Sequence, residues 1–274
     1  AGIFRALGDS KHPLYFLIAG ALLNTVLDIL FIVVFKLGVK GAAYATVLSQ
    51  LLSALLTLIW LMKRKDFCRF CIKELGIDKK VLVNMMRIGV PAGIQSIMYN
   101  ISNMLVQARI NGFGTDSAAA WAAYGKLDFI FWMMSNAFGI SITTFVGQNY
   151  GAGKIDRAKK GVRTCMFMTA IATVLLSFIY VIFGRYGFML FVTDENVIDI
   201  GMLMLKTIAP TFITYIGIEI ISGASRGAGK AIVPTLFTVI GICGMRILWL
   251  NIPFFITSIE KALLCYPVSW TLVS

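Results

Sequence analysis

The chain has 274 residues, 58% of them hydrophobic and only 14% charged, with a mean hydropathy of +0.83. A soluble domain carries about a quarter charged residues and just under half apolar ones, so this composition excludes an ordinary soluble fold and points to a bilayer protein. The net charge of +12 would suit nucleic acid only if the basic residues formed one wet patch.

A segment that crosses the hydrocarbon core needs about 20 mostly apolar residues. Seven stretches meet that length: 14–35, 41–62, 87–109, 117–147, 163–183, 197–222 and 231–255, with an eighth beginning near 262. The chain opens with Ala1 in what reads as a loop and stops within the eighth stretch, so a larger transmembrane protein is expected. Alternate loops hold Arg5 and Lys11, then Lys63, Arg64, Lys65, Arg69, Lys73, Lys79, Lys80 and Arg87. Lys154, Arg157, Lys159, Lys160 and Arg163 follow, then Arg226 and Lys230. The opposite loops hold Lys36, Lys40, Arg185 and Lys261. Lys and Arg collect on the cytoplasmic side. The charge therefore orients the spans, and no nucleic-acid partner is needed.

An ionisable side chain within a span is costly and is a functional candidate by default. In the first span, Asn24 and Asp28 in NTVLDIL stand four apart, hence on one helix face. A carboxylate beside an amide oxygen suits a hard cation or a carried proton; a structural aspartate bonded to its neighbours is the competing account. The basic loop contains a lone C-x-x-C, Cys68 and Cys71, far from His12. A structural zinc site needs four ligands, so reduced thiols are expected.

The third span carries a polar stripe, Gln95, Tyr99, Asn100 and Asn103, which must face protein or water rather than lipid. With Met98, Trp132, Met133 and Met134 it suggests a polar, Met-rich, aromatic cavity; interhelical bonding alone is the weaker alternative. In the fourth span Lys126 and Asp128 are two apart and face differently. Each is a cavity candidate, with a buried inter-lobe pair as the alternative. Pro210 should kink the sixth span. Glu219 is a further cavity candidate, although pairing with Arg226, or snorkelling, explains it as well.

Residues 222–234, SGASRGAGKAIVP, raise the question of a phosphate loop. The pattern G-x-x-x-x-G-K-[ST] would need glycine at 224 and a hydroxyl at 231, where Ala224 and Ala231 stand. The segment instead repeats the start of the chain. GIFRALGDSKHPLYFLIAG (2–20) and GASRGAGKAIVPTLFTVIG (223–241) share Gly2/Gly223, Arg5/Arg226, Gly8/Gly229, Pro13/Pro234, Phe16/Phe237 and Gly20/Gly241. Both copies read as a glycine-ended helix leading through a proline into a span. A same-side repeat separated by six spans implies parallel six-helix units, twelve helices in all. Helices five to eleven and part of twelve are then present. Residues 1–62 end the first lobe, 63–86 link the lobes on the cytoplasmic side, and 87–274 form the second lobe.

The segments RALGDSKHP, GAAYATVLSQ, IGVPAGIQS, INGFGTDSAAAWAA, FVGQNYGAGKIDRAKKGV and RGAGKAIVP together resemble the multidrug and toxic compound extrusion (MATE) family over essentially the whole chain. The resemblance implies an all-α integral membrane protein of two six-helix lobes, here without the first four helices. It also implies a plasma-membrane antiporter and not an enzyme, monomeric, without a cofactor, that expels cationic or amphipathic compounds against Na⁺ or H⁺. One branch of the family uses Asn-x-x-x-Asp on helix five and a Thr early in helix six, which here gives Asn24, Asp28 and Thr46. The family positions for second-lobe acids correspond to Tyr99 and Tyr215, so a carboxylate cation site is not implied there. A flippase for lipid-linked sugars is the alternative; it would want more cations in the cavity than Lys126, Lys206 and Arg246 supply. An integral membrane enzyme would need clustered acids or His/Glu ligands, and a pure scaffold would not bear the cost of Asp28.

Overall fold

The structure, a computed structural model, describes residues 2–63, 70–71 and 76–274, and among these every regular element is helical. Cys68, Arg64, Lys65, Arg69 and Lys73 lie outside the described residues. Among the described residues, seven helical stretches are long and apolar enough to cross a membrane. The chain divides into two compact units, 1–78 and 79–274.

In the first unit a short helix α1 (Gly2–Ala6) precedes α2 (Lys11–Asp28), which continues as a π-helical turn (Ile29–Val34) and folds back into α3 (Val39–Lys63). The reversal uses left-handed backbone at Lys36 and Gly38, φ 53° and 55°. Small residues let the two helices approach closely. A Cβ on Gly20 would stand 3.2 Å from the Ser49 carbonyl, and one on Gly41 would stand 3.0 Å from Phe31 Cβ. The loop before α2 is closed by Asp9, which accepts from the His12 backbone N–H (3.3 Å) and lies 2.7 Å from His12 Nδ1. Desolvation alone would raise the Asp9 pKa; the His12 bonds together outweigh it and hold the carboxyl below its ordinary value.

The second unit consists of α4 (Lys79–Asn111), α5 (Thr115–Gly151), α6 (Ile155–Met189), α7 (Glu195–Ile208), α8 (Phe212–Gly227), α9 (Ile232–Phe237), α10 (Met245–Asn251), α11 (Ile259–Leu263) and α12 (Cys265–Val273). A second π-helical segment, Thr238–Gly244, joins α9 to α10. The long α5 packs against α4, α6, α7 and α8, and its inward face supplies Ala120, Tyr124, Leu127 and Phe131 to the core. Lys79 and Lys80, placed in the linker by the sequence, belong to the first turn of α4. KKVLVNMMR contains no helix breaker, so the helix runs on past the apolar core of the span. The expected kink is present: Ala209–Thr211 forms a 3₁₀ turn at Pro210, and the Ala209 carbonyl accepts from Ser177 Oγ at 2.8 Å. Across the α6–α7 turn, Arg185 pairs with Glu195 and with Asp199 (2.7 Å).

The sequence repeat is also a repeat of backbone geometry. Gly8 and Gly229 both have φ +79°. Their N–H groups donate to the carbonyls of Arg5 (2.9 Å) and Arg226 (3.0 Å). The next residues, Asp9 and Lys230, reach back to Phe4 (2.9 Å) and Ser225 (2.8 Å). Each is a glycine-ended helix cap, and the following helices start at the equivalent Lys11 and Ile232. Only glycine adopts this φ without a steric cost. Gly8→Ala and Gly229→Ala should therefore each lower stability by about 1 kcal/mol, by similar amounts, as read from thermal unfolding in detergent. Gly223 and Gly227, by contrast, lie inside α8 rather than in a loop.

Candidate functional site

In the first unit, Asn24 and Thr46 line a groove of about 640 Å³ between α2 and α3, together with Ser49, Gln50 and Ser53. Thr46 Oγ1 donates to the Ala42 carbonyl at 2.9 Å. Asp28 is not part of that lining. It stands one turn beyond Asn24, where α2 gives way to the π-helical turn. Its Oδ1 and the Nδ2 of Asn24 are buried without a hydrogen-bond partner. Such atoms are expensive unless something binds them, and π turns within helices are frequent at functional sites.

In the second unit the polar stripe of α4 separates into different environments. Gln95 Nε2 donates to Thr238 Oγ1 at 3.1 Å, and Tyr99 packs on the core. Asn100 turns outward and bonds its own helix through the Ser96 carbonyl (2.8 Å). Asn103 alone of the four lines a cavity of about 190 Å³, shared with Gln107, Trp121, Tyr124, Asp128, Trp132, Tyr266 and Trp270. Asp128 is held in place by residues one turn on either side of it. Tyr124 donates its hydroxyl to Oδ1 (3.2 Å), and Trp132 donates Nε1–H to Oδ2 (2.5 Å). The rings of Trp121 and Tyr124 stack at 5.2 Å, and the Tyr266 and Trp270 rings meet edge-on at 5.4 Å.

Several expected cavity residues lie elsewhere. Lys126 is exposed, with Nζ 4.6 Å from the centroid of the Phe191 ring. Being two residues from Asp128, it faces another side of α5. Glu219 accepts from Tyr215 (3.0 Å) and pairs with Arg226 (3.3 Å), its carboxylate pressed against Gly139 of α5. The alternative weighed for it, pairing with Arg226, is the arrangement found. The cavity is polar and aromatic but not Met-rich. Met133 follows Trp132 by one residue, about 100° around the helix, and is exposed.

Arg246, counted in the sequence only as one of the cations within the spans, meets this cavity through the lining residues Asn103 and Tyr266. It is 1% exposed. Its Nη1 donates to Asn103 Oδ1 (3.1 Å) and its Nε to Ser269 Oγ (3.4 Å), with the guanidinium 4.0 Å from the Tyr266 ring centroid. Tyr124 was legible from its i−4 spacing to Asp128. Tyr266 and Trp270 are brought to the cavity only by the packing of α12.

The profile of the MatE family matches residues 91–252, more than half of the chain. The chain belongs to the MATE family. It is 30% identical over 250 residues to the Bacillus subtilis "Probable multidrug resistance protein YoeA", covering 89% of this chain and 54% of that one. It is 26% identical over 260 residues to the Staphylococcus aureus "Multidrug export protein MepA", covering 89% and 57%. The chain thus spans about half the length of the curated relatives it matches. Among solved structures, an aspartate-to-asparagine variant of the Vibrio cholerae MATE transporter VcmN superposes with a TM-score of 0.88 at 21% identity, over 99% of this chain and 61% of that one. A MATE crystal structure in the bent conformation gives 0.86 at 17% identity, over 99% and 61%. These likenesses establish a MATE fold and a multi-pass membrane protein.

Proposed function

We propose that the chain is part of a Na⁺- or H⁺-coupled antiporter that expels cationic or amphipathic compounds across the plasma membrane by alternating access. The observation that carries this reading is Asp128, a carboxylate set among Trp121, Tyr124, Trp132 and Trp270 at one cavity. Aromatic faces attract cations by about 0.5–2 kcal/mol each when desolvated, and the carboxylate adds a charge. The names of the bacterial relatives, multidrug resistance and multidrug export, support the substrate class and the location. A transporter working as a monomer, and not an enzyme, is the corresponding expectation.

Asn24, Asp28 and Thr46 are the proposed coupling set. A ligand shifts an equilibrium only by its different affinity for the two states, and protonating or metallating the buried Asp28 oxygen supplies such a difference. The test is Asp28→Asn in the intact protein, reconstituted in liposomes with an imposed Na⁺ or proton gradient. Efflux of a cationic dye should fall to the rate seen without a gradient. Unchanged gradient-driven efflux would remove Asp28 from the mechanism. The flippase alternative has less support: Lys126 reaches Phe191, Lys206 is exposed, and the guanidinium of Arg246 already contacts Asn103, Ser269 and Tyr266.

A further inference from the structure

We infer that the cavity beside Asp128 is built for an organic cation that carries a hydrogen-bond acceptor away from its charge, and that Arg246 turns the Asn103 amide toward that acceptor. The inference rests on the proposed reading of the cavity as a cation site and adds a second recognition point to it.

The argument begins with the donor inventory. Arginine has only donors, so the atom of Asn103 that meets Arg246 Nη1 at 3.1 Å must be the side-chain oxygen. The Tyr266 hydroxyl approaches the same oxygen at 3.5 Å. Both interactions occupy Oδ1 and leave the amide nitrogen as the group Asn103 presents to the cavity it lines. The Trp270 side chain, 1% exposed and lining the same cavity, has a buried indole N–H without a hydrogen-bond partner. Indole cannot accept. The Asn103–Trp270 side of the cavity therefore has surplus donors, whereas Asp128 is an acceptor. A buried donor without a partner is unfavourable, and a ligand acceptor placed there would relieve part of that cost. Ligands with a positive charge and no acceptor satisfy only the Asp128 side.

Arg246 acts through its neighbours and is a positioning residue. Its planar fork bonds Asn103 and Ser269 while its face lies under Tyr266, a combination that lysine does not reproduce.

The test compares two nearly isosteric cations, 3-acetyl- and 3-isopropenyl-phenyltrimethylammonium, which differ by a carbonyl oxygen against a methylene. Binding to the intact purified protein is read from quenching of tryptophan fluorescence, since Trp121, Trp132 and Trp270 line the cavity. The ketone should bind about 5- to 10-fold more tightly, the worth of one net hydrogen bond. In Asn103→Asp, which keeps the shape and the pairing with Arg246, removes the amide donor and leaves only the Trp270 N–H for the ketone, the ratio should fall to about two or less although both cations still bind. Arg246→Lys should also reduce the ratio by freeing the amide to rotate. Should that buried variant fail to fold, Asn103→Asp alone decides. Equal binding of the two cations by the unmodified protein, or a ratio that survives Asn103→Asp, overturns the inference and leaves the cation site standing. If neither cation binds, the cation reading of the cavity fails and this inference fails with it.

Discussion

Replacing Asp128 by asparagine is expected to weaken binding of a cationic dye by about 10- to 100-fold, the value of a lost charge-assisted contact of about 1.5–3 kcal/mol. The change is nearly isosteric and leaves the local scaffold serviceable. The Trp132 Nε1–H can still donate to the amide oxygen, and the Tyr124 hydroxyl, which now donates to Oδ1, can accept from the amide nitrogen. Structural loss should therefore stay small beside the electrostatic one. The buried Arg246, bonded to Asn103 in the wall of the same cavity, adds to the effect, because without Asp128 its charge is no longer offset where the ligand sits. The cation–π surfaces remain, so binding should weaken rather than vanish. Tryptophan quenching gives the affinity, and dye efflux from proteoliposomes gives the functional consequence. A Kd within twofold of the unmodified protein, in a variant of unchanged thermal stability, would show that Asp128 is structural and that the cation is held elsewhere.

How much of this was legible in the sequence depended on whether the signal was local. Span positions, the Pro210 break and the repeated glycine caps are local properties, and they appear where composition and spacing place them. The Asp128 site was half visible: Tyr124, Asp128 and Trp132 repeat every four residues on one helix, whereas Asn103 of α4 and Tyr266 and Trp270 of α12 arrive only by tertiary packing. The α4 stripe divides for a more local reason. Gln95, Tyr99 and Asn103 each follow the last by four residues, and Asn100 falls off that row, so its side chain folds back on its own helix. Glycines misled for a different reason. A glycine that punctuates a loop and one that admits a neighbouring helix are the same letter. Gly229 is the first kind, and Gly223 and Gly227 are the second. What separates them is the opposing surface on α5, eighty residues earlier.

That surface makes Gly227→Ala the substitution with the largest expected cost in stability, about 3 kcal/mol and on the order of 10 °C in Tm. Along α8, Gly223 and Gly227 are four apart; along α5, Gly139, Thr143 and Gly147 repeat the same spacing, as in close crossings of membrane helices. Thr143 Oγ1 bonds the carbonyls of Gly139 (2.7 Å) and, across the crossing, Gly223 (2.9 Å). A Cβ on Gly227 would collide with the Thr143 carbonyl oxygen and stand 3.1 Å from the Gly147 nitrogen. These are backbone atoms and cannot rotate away, so α5 and α8 must separate, loosening Ile142, Val146, Ile216 and Ile220 in the core between them. Gly161→Ala is the control. There the obstruction is the ring of Phe145, a half-buried side chain that can swing aside, and the cost should be about 1 kcal/mol or less. Thermal unfolding of the two variants in the same detergent decides the matter. If Gly227→Ala melts no lower than Gly161→Ala, the helices are not in backbone contact at this crossing.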